Sequence, residues 1–484
     1  MKYTIYILYT IGCALSIIYG INHFTLSPDS TNYITAAENL VNHHSLFVNG
    51  NWPSGSYEPV TEPYTEYMPG LPVFTSVILL FAKNPDLVML TMNSLSVALM
   101  FFISLLVLIE LKLNDYLKII FLLFLIFFEP FRHIYSHYWT ETHFIFFSLL
   151  SVYFALKLLK QDKKSYWIWG CVAIVLSSFV KIYGVLNCAF FIIPFILNKK
   201  SFAKLILFVF CSSLFAMLWY LRNEIMYGYF TLSHQTFRMF RSELMFTPFA
   251  HTLYLLGNDK LANVWMKVIL IVSLSPLMIY FKNKSFAKVS ISIWSLLCIG
   301  TTIQFLALYI LSLISSFDYL RSRLLAPVYI LCFLILLFSI KILMDKYSHV
   351  KIKYVIAALP LLLFFSASGF EKQIDLKINF TAPLEHALWD ELSSKDFVNN
   401  SSHYITDDDF NHQIYGKLPQ RIVKDSIKFS DVNFMREILG KGRTPFIVLR
   451  NNESPYFSFE HNYKLLGYKK AETQNKDFIV YIRE

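Results

Sequence analysis

Long apolar runs, separated by short polar segments rich in Lys and Arg, occupy the chain from its first residue to about residue 368. An α-helix needs about 20 apolar residues to cross about 30 Å of hydrocarbon, and inside a bilayer the backbone must satisfy its own hydrogen bonds. The pattern predicts a first span in "MKYTIYILYTIGCALSIIYG" and further spans over 86–110, 117–129 and 142–158. Two more fall within 166–197, followed by 205–221, 264–281, 289–315, 325–343 and 354–368. The total is eleven. As one helix, 166–197 would be about 48 Å long, too much for one crossing, so it is read as a hairpin turning at "VKIYG" with Lys181 at the turn. The stretch "LPVFTSVILLFA", residues 71–82, rises only about 18 Å as a helix and is read as re-entrant or juxtamembrane. If it crosses, the count becomes twelve or thirteen. The first run has the charged start of a signal peptide but continues past Cys13 without a small-residue cleavage site, so an uncleaved span is expected.

After residue 370 the pattern changes. "HALWDELSSKDFVNN" has helical spacing, while "HYITDDD", "PFIVLR" and "DFIVYIRE" read as strands. The expected organisation is a transmembrane domain over 1–369 and a small α+β domain over 370–484, with no internal repeat.

Composition agrees with this reading. Of 484 residues, 55% are hydrophobic and 17% aromatic, and the mean hydropathy is +0.47, well above ordinary soluble domains. Helical runs rather than weak alternation favour a helix bundle over a β-barrel. The net charge of +10 would raise the question of nucleic acid in a soluble protein. Here the cations sit in "KLLKQDKK" (157–164), "NKKSFAK" (198–204), "KNKSFAK" (282–288) and "KILMDKYSHVKIK" (341–353), where they orient helices toward the cytoplasm. No nucleic-acid partner is expected. Residues 21–82 carry five acids (Asp29, Glu38, Glu58, Glu62, Glu66) and neither Lys nor Arg, as an outer loop should. The same arithmetic puts the tail after 370 outside. All six cysteines lie in apolar stretches with no metal-ligand spacing, so disulfides are not expected.

Ionisable groups then collect at the outer ends of the predicted spans. They comprise Asp29, Glu58, Glu62 and Glu66 from the first loop, the group in "EPFRHIYSHYWTE" (Glu129, Arg132, His133, His137, Glu141), Lys181, Arg222, Arg321 and Arg323. Buried charge in a membrane is expensive unless paired or solvated, so such convergence suits chemistry on a charged lipid. Each has a plainer reading. Asp29 follows Ser27 and Pro28, a helix-start pattern, and complements a helix dipole as well as it would serve catalysis. Arg222, Arg321 and Arg323 fit interfacial anchors, His133 and His137 fit either metal ligands on one helix face or polar residues beside a cleft, and "TDDD" (406–409) fits an exposed turn as well as a cation site.

A family resemblance runs through the same residues. The first span, "SPDSTNYI", "TEYMPGLPVF", "YSHYWTETHFIF", "FVKIYG", "WYLRN", "LRSRLLAPVYI" and an outer C-terminal domain follow in that order. This layout resembles the C-type glycosyltransferases that use polyprenyl-phosphate sugars, a superfamily including protein O-mannosyltransferases and aminoarabinose transferases. The resemblance implies the GT-C fold, with a polyprenyl-phosphate-linked sugar as donor, a glycan, lipid or protein as acceptor, and membrane lipid around it. It implies Asp29 as general base or acceptor-positioning group and Glu141 as the carboxylate opening a later span. It implies Lys181 and Arg222 as ligands of the lipid phosphate. Arg321, Arg323, Glu66, Tyr67 and His137 complete the substrate-binding candidates by their place at the same rim. The family's double proline is here "MPGLP", and the first loop has no Asp-x-Asp; a divalent cation stays open and no other cofactor is assigned. No Gly-rich phosphate loop is present.

Two rival functions remain at this stage. A transporter or lipid flippase would carry mid-membrane charges and repeated halves, whereas a non-catalytic assembly protein would act through its tail.

Overall fold

A computed structural model describes residues 3–49, 61–65, 67–82, 84–228, 241–257, 259–282, 288–314, 320–347 and 350–370, and in the tail 391–392, 395, 404–406, 420–422, 446–450, 463, 468–471 and 478–483. Among the described residues seven helices are long and apolar enough to cross a membrane. The chain is a multi-pass α-helical membrane protein.

In chain order the helices are α1 (Thr4–Asn22), α2 (Pro28–His43), α3 (Gly70–Leu79), α4 (Pro85–Glu110), α5 (Asp115–Phe127), α6 (Glu129–Tyr135), α7 (Thr140–Lys160) and α8 (Lys164–Val180). A 3-10 helix, Ile182–Phe191, leads into α9 (Ile192–Leu197), α10 (Phe202–Tyr227), α11 (Thr247–Leu256), α12 (Asp259–Lys282), α13 (Lys288–Ile314), α14 (Ser322–Lys346) and α15 (Val350–Ser366). The seven long helices are α1, α4, α7, α10, α12, α13 and α14. The other four expected spans, 117–129, the two arms of 166–197 and 354–368, fall on α5, on α8 and the 3-10/α9 segment, and on α15. Between the expected spans 205–221 and 264–281 lies α11, started by Pro248 in its first turn.

The fold divides into two compact units. The first comprises Met1–His23, Thr65–Leu71 and Thr91–Asn379; the second comprises Phe24–Tyr64, Pro72–Leu90 and Phe380–Glu484.

In the first unit α14 is the central post. Its residues Phe333 to Ile340 are buried without interruption, as expected of a helix apolar all round. By contrast α10 buries only Ser212, Ala216, Trp219 and Asn223, a spacing of four, three and four that marks a single stripe. Phe124 of α5 stacks on Phe333 at 3.9 Å, and Phe128 meets Phe370 at 5.1 Å. The backbone leaving α15 is pinned there, since Glu129 N–H donates to the Gly369 carbonyl at 2.8 Å and Gly369 N–H to that of Leu255 at 2.7 Å.

Ion pairs mark one end of this bundle. Glu110, closing α4, accepts from Lys157 at 2.5 Å and Lys160 at 2.7 Å at the end of α7. Asp162 pairs with Lys200 at 2.6 Å and takes the Trp167 indole N–H at 2.7 Å. Lys200 and Trp167 hold the Asp162 carboxyl below the usual carboxylate range. The cation-rich segments after α7 and before α10 therefore share a face.

In the second unit, α2 is followed by a hairpin of β1 (Phe47–Asn49) and β2 (Thr61–Pro63). The tail contributes β3 (Tyr404–Thr406), β4 (Gln420–Ile422), β5 (Phe446–Arg450), β6 (Tyr468–Lys470) and β7 (Phe478–Arg483), ordered β4-β3-β5-β7-β6. The three predicted strands are β3, β5 and β7, with Ile405 opposite Ile447 and Val448 opposite Val480. Of the predicted tail helix, residues 391–392 are helical, Lys395 is described and is not helical, and the rest lies outside the described residues, as do 407–409 of "TDDD".

Candidate active site

The site lies at the end of the first unit's bundle opposite those ion pairs. There α7 begins with Trp139 as its N-cap and Glu141 in its first turn, where a carboxylate suits the helix dipole. Glu141 is fully buried, and its Oε1 accepts from two cations: Lys181 Nζ at 2.6 Å and Arg323 Nε at 2.7 Å. The Thr140 hydroxyl donates to Oε2 at 3.4 Å. A buried anion with no cation would be untenable, and here two share it.

Local sequence explains each position. Helix α8 ends at Val180, Lys181 adopts extended backbone at φ −150° and ψ 128°, and its N–H still donates to the Ser177 carbonyl at 2.9 Å. The chain then tightens into the 3-10 helix, with Gly184 N–H donating to the Lys181 carbonyl at 2.8 Å. A Cβ on Gly184 would fall on the Ser177 carbonyl carbon, so only glycine admits this return. Arg323 stands in the first turn of α14 and is thereby aimed back at the N-terminus of α7.

Aromatic groups frame the pair. The Arg323 guanidinium lies 4.3 Å above the Trp139 ring, and the His137 ring stacks on Trp139 at 4.0 Å and 23°. Lys181 Nζ lies 5.3 Å from the centre of the Tyr183 ring. His137 Nδ1 meets the His133 carbonyl at 2.8 Å and the Ser136 hydroxyl at 3.0 Å. Burial, then the neighbouring His133, pulls His137 down to about 4, and burial followed by Arg323 lowers His133. Both imidazoles are therefore neutral near pH 7. Beside Lys181, an apolar cavity of about 550 Å³ opens between the 3-10 helix, α10 and α13, lined in part by Tyr183, Leu186, Tyr220 and Leu311.

The structure thus brings together Glu141, Lys181, Arg323 and His137 from the sequence candidates. Arg222 turns onto its own helix, donating to Asn223 at 2.8 Å and Tyr227 at 3.3 Å and lying 4.7 Å from the Trp219 ring. Arg321 is the exposed N-cap of α14. Tyr67 is half-buried beside the buried Met68, and Glu66 lies outside the described residues. Gly70 of "MPGLP" has a packing reason: a Cβ there would lie 2.5 Å from the Phe179 carbonyl oxygen, so glycine lets the start of α3 close on the end of α8. Sequence reasoning missed Trp139 as the shelf for Arg323; its signal was an aromatic residue two positions before a helix-opening carboxylate. Arg132, buried on α6, lies over the Tyr19 ring at 3.8 Å.

Asp29 belongs to the second unit. Ser27 and Ser30 form a reciprocal capping box at the start of α2, Pro28 takes the first helical position, and the half-buried Asp29 follows it in the first turn. No group of three or more His, Cys, Asp or Glu among the described residues could hold a metal ion.

Comparison with solved structures identifies the architecture. The chain is similar to ArnT from Cupriavidus metallidurans bound to undecaprenyl phosphate, with a TM-score of 0.61 at 13% identity over 99% of this chain and 98% of that one. The apo state of the same ArnT gives a TM-score of 0.57 at 12% identity, covering 98% and 97%. The oligosaccharyltransferase of Archaeoglobus fulgidus, tethered with an acceptor peptide, gives 0.57 at 12% identity over 100% of this chain and 74% of that one. No family model matches the chain, and no curated protein matches it by sequence. The fold is that of the GT-C glycosyltransferases.

Proposed function

We propose that the protein is an inverting membrane glycosyltransferase that moves a sugar from a polyprenyl-phosphate donor to an acceptor hydroxyl. The observation that carries this reading is the convergence of Lys181 and Arg323 on one oxygen of buried Glu141. Two cations and one carboxylate leave a local charge of +1, which matches the single charge of a phosphodiester. Glu141 acts as the counter-ion that holds the cations in place, and its occupied oxygen makes it a poor proton acceptor. That work falls to Asp29.

In the reaction, the acceptor oxygen forms a bond to the anomeric carbon as the bond to the phosphate oxygen breaks. The electron pair leaves with the phosphate, where Lys181 and Arg323 stabilise it. The acceptor proton passes to the Asp29 carboxylate. The apolar cavity beside Tyr183 takes the first part of the prenyl chain. The cation-rich ends of α7 and α14 lie away from the site, and the positive-inside rule supports a reading in which the chemistry takes place on the outer side of a bacterial inner membrane. The acceptor is a glycan, a lipid or a protein. Undecaprenyl phosphate bound by the ArnT of known structure is the natural probe.

The test is twofold. Purified protein should bind undecaprenyl phosphate with loss of affinity in Lys181→Met, and mass spectrometry of envelope glycolipids and glycoproteins should reveal one sugar missing when the gene is removed. Absence of binding together with an unchanged sugar profile sinks the reading.

A further inference from the structure

Two turns of α7 beyond Glu141 a second polar cluster lies wholly inside the bundle. Asn187 donates to the Ser177 hydroxyl at 2.8 Å and to the Ser148 hydroxyl at 3.1 Å, and its own carbonyl oxygen accepts from Gln304 Nε2 at 2.5 Å. All four residues are buried. They come from four elements: Ser148 from α7, Ser177 from α8, Asn187 from the 3-10 helix and Gln304 from α13. The amide of Asn187 thus uses both N–H donors and its acceptor.

Such a cluster is a costly way to hold helices together. Polar residues within a membrane are rare and tend to serve function, while side-chain hydrogen bonds between membrane helices average only about 0.6 kcal/mol. Its placement is more telling. The 3-10 helix runs for ten residues, whereas such helices seldom exceed three or four. Without an i→i+4 ladder its register against α8 must come from elsewhere. Asn187 supplies it, and the link to the site is direct: Ser177 takes Asn187 on its hydroxyl and the Lys181 N–H on its carbonyl. Ser148 lies seven residues after Glu141, on the same face of α7 about 10 Å away, so the cluster ties together the two elements that carry Lys181 and Glu141.

We propose that Asn187, with Gln304, Ser177 and Ser148, is a positioning unit that holds the unwound segment in the register that delivers Lys181 to Glu141. It touches neither donor nor acceptor. The inference rests on the donor-phosphate reading of Lys181, but its geometric part is tested separately.

The experiment compares wild-type protein with Asn187→Leu and with the milder Gln304→Met, all full-length in detergent. Three readouts are taken: hydrogen exchange, affinity for undecaprenyl phosphate and thermal unfolding. Exchange in peptides covering 178–186 should rise at least tenfold in Asn187→Leu and less in Gln304→Met, while peptides covering 320–330 stay as in wild type. Affinity should fall about tenfold in Asn187→Leu without a matching drop in the unfolding midpoint. Unchanged exchange in 178–186, or a rise spread evenly over α13 and α14, overturns the positioning role. Should Asn187→Leu not fold, Gln304→Met decides by the same criteria. If wild-type protein fails to bind undecaprenyl phosphate, the donor reading falls while the exchange pattern still judges the register claim.

Discussion

Lys181 and Arg323 donate to the same Oε1 of Glu141, at 2.6 and 2.7 Å, although one follows α8 and the other opens α14. Removing the shared anion should therefore do more harm than removing either cation. Taking one partner from a buried pair costs about 3–5 kcal/mol, and here the partial exposure of both cations points to the lower end. Glu141→Gln should lower the unfolding midpoint in detergent, and Glu141→Gln combined with Lys181→Met should recover part of the loss. A double variant as unstable as the summed single losses would show that the two groups are not coupled.

Donor affinity should separate the cations. Lys181→Met and Arg323→Gln should each weaken undecaprenyl phosphate at least tenfold, and Arg323→Lys should not restore the Arg323 loss, since the guanidinium also lies on Trp139 and lysine lacks its planar fork. Arg222→Gln should cost less than threefold, because that guanidinium is occupied by Asn223 and Tyr227. Calorimetric titration of the four proteins gives the order; a reversed ranking of Arg222 and Lys181 would move the phosphate to the end of α10.

Asp29→Asn should leave undecaprenyl phosphate binding intact and reduce transfer by at least a hundredfold, the range expected for loss of a general base. The amide still complements the start of α2, so the protein should insert and unfold as wild type does. Near-normal turnover by Asp29→Asn removes this residue from the chemistry.

How much of this arrangement was legible depended on range. Lys181 stood out because it interrupts a long apolar run, and Glu141 and Arg323 because they are charges at helix ends. Their meeting was not legible, since 40 residues separate Glu141 from Lys181 and 182 separate it from Arg323. The packing of α8 back along α7 closes the first distance, and the packing of α14 against α7 closes the second. Arg222 was equally visible, yet its aromatic neighbours Trp219 and Tyr227 lie three and five residues away on the same helix, and that local competition redirects it. Strands β5 and β7 open with unbroken apolar runs, mostly aromatic and β-branched, and were read as strands, whereas β4 and β6, with the sequences QRI and YKK, each carry a single apolar residue and no pattern. Asn187 and Gln304 were passed over as isolated amides in apolar runs, although a buried amide at membrane depth is itself a signal.

The paired histidines predict an acid sensitivity with a defined window. The folded protein holds His137 near 4, against about 6.5 unfolded, so the unfolded chain binds more protons between those values. Stability is therefore fully present above pH 6.5 and declines as pH falls toward 4, by on the order of 2 kcal/mol for His137 with some added by His133. Unfolding midpoints in detergent at pH 7.5 and 5.0 should differ in wild type, and His137→Gln should narrow the difference. At pH 5.0 the carboxylates of the unfolded chain are still mostly ionised, so the comparison of pH 7.5 with pH 5.0 reads mainly the imidazoles. An equal pH response in His137→Gln and wild type would assign the sensitivity elsewhere.

Gly184 offers the sharpest test of how Lys181 is presented. A methyl at this position meets the Ser177 carbonyl carbon and the Ser178 nitrogen, backbone atoms that cannot rotate aside as a flexible side chain would. Gly184→Ala must push the 3-10 helix away from α8, which lengthens the Gly184 to Lys181 hydrogen bond and withdraws Lys181 from Glu141. Gly228, the C-cap of α10 with φ +74° and no atom of the described residues within 4 Å of a Cβ, is the control, since alanine there strains only the helix end and costs about 1 kcal/mol. Gly184→Ala should lose undecaprenyl phosphate binding at least tenfold and unfold at a lower temperature, while Gly228→Ala keeps its affinity. If Gly184→Ala binds as wild type does, the tight return of the chain after Lys181 is not what sets the cation in place.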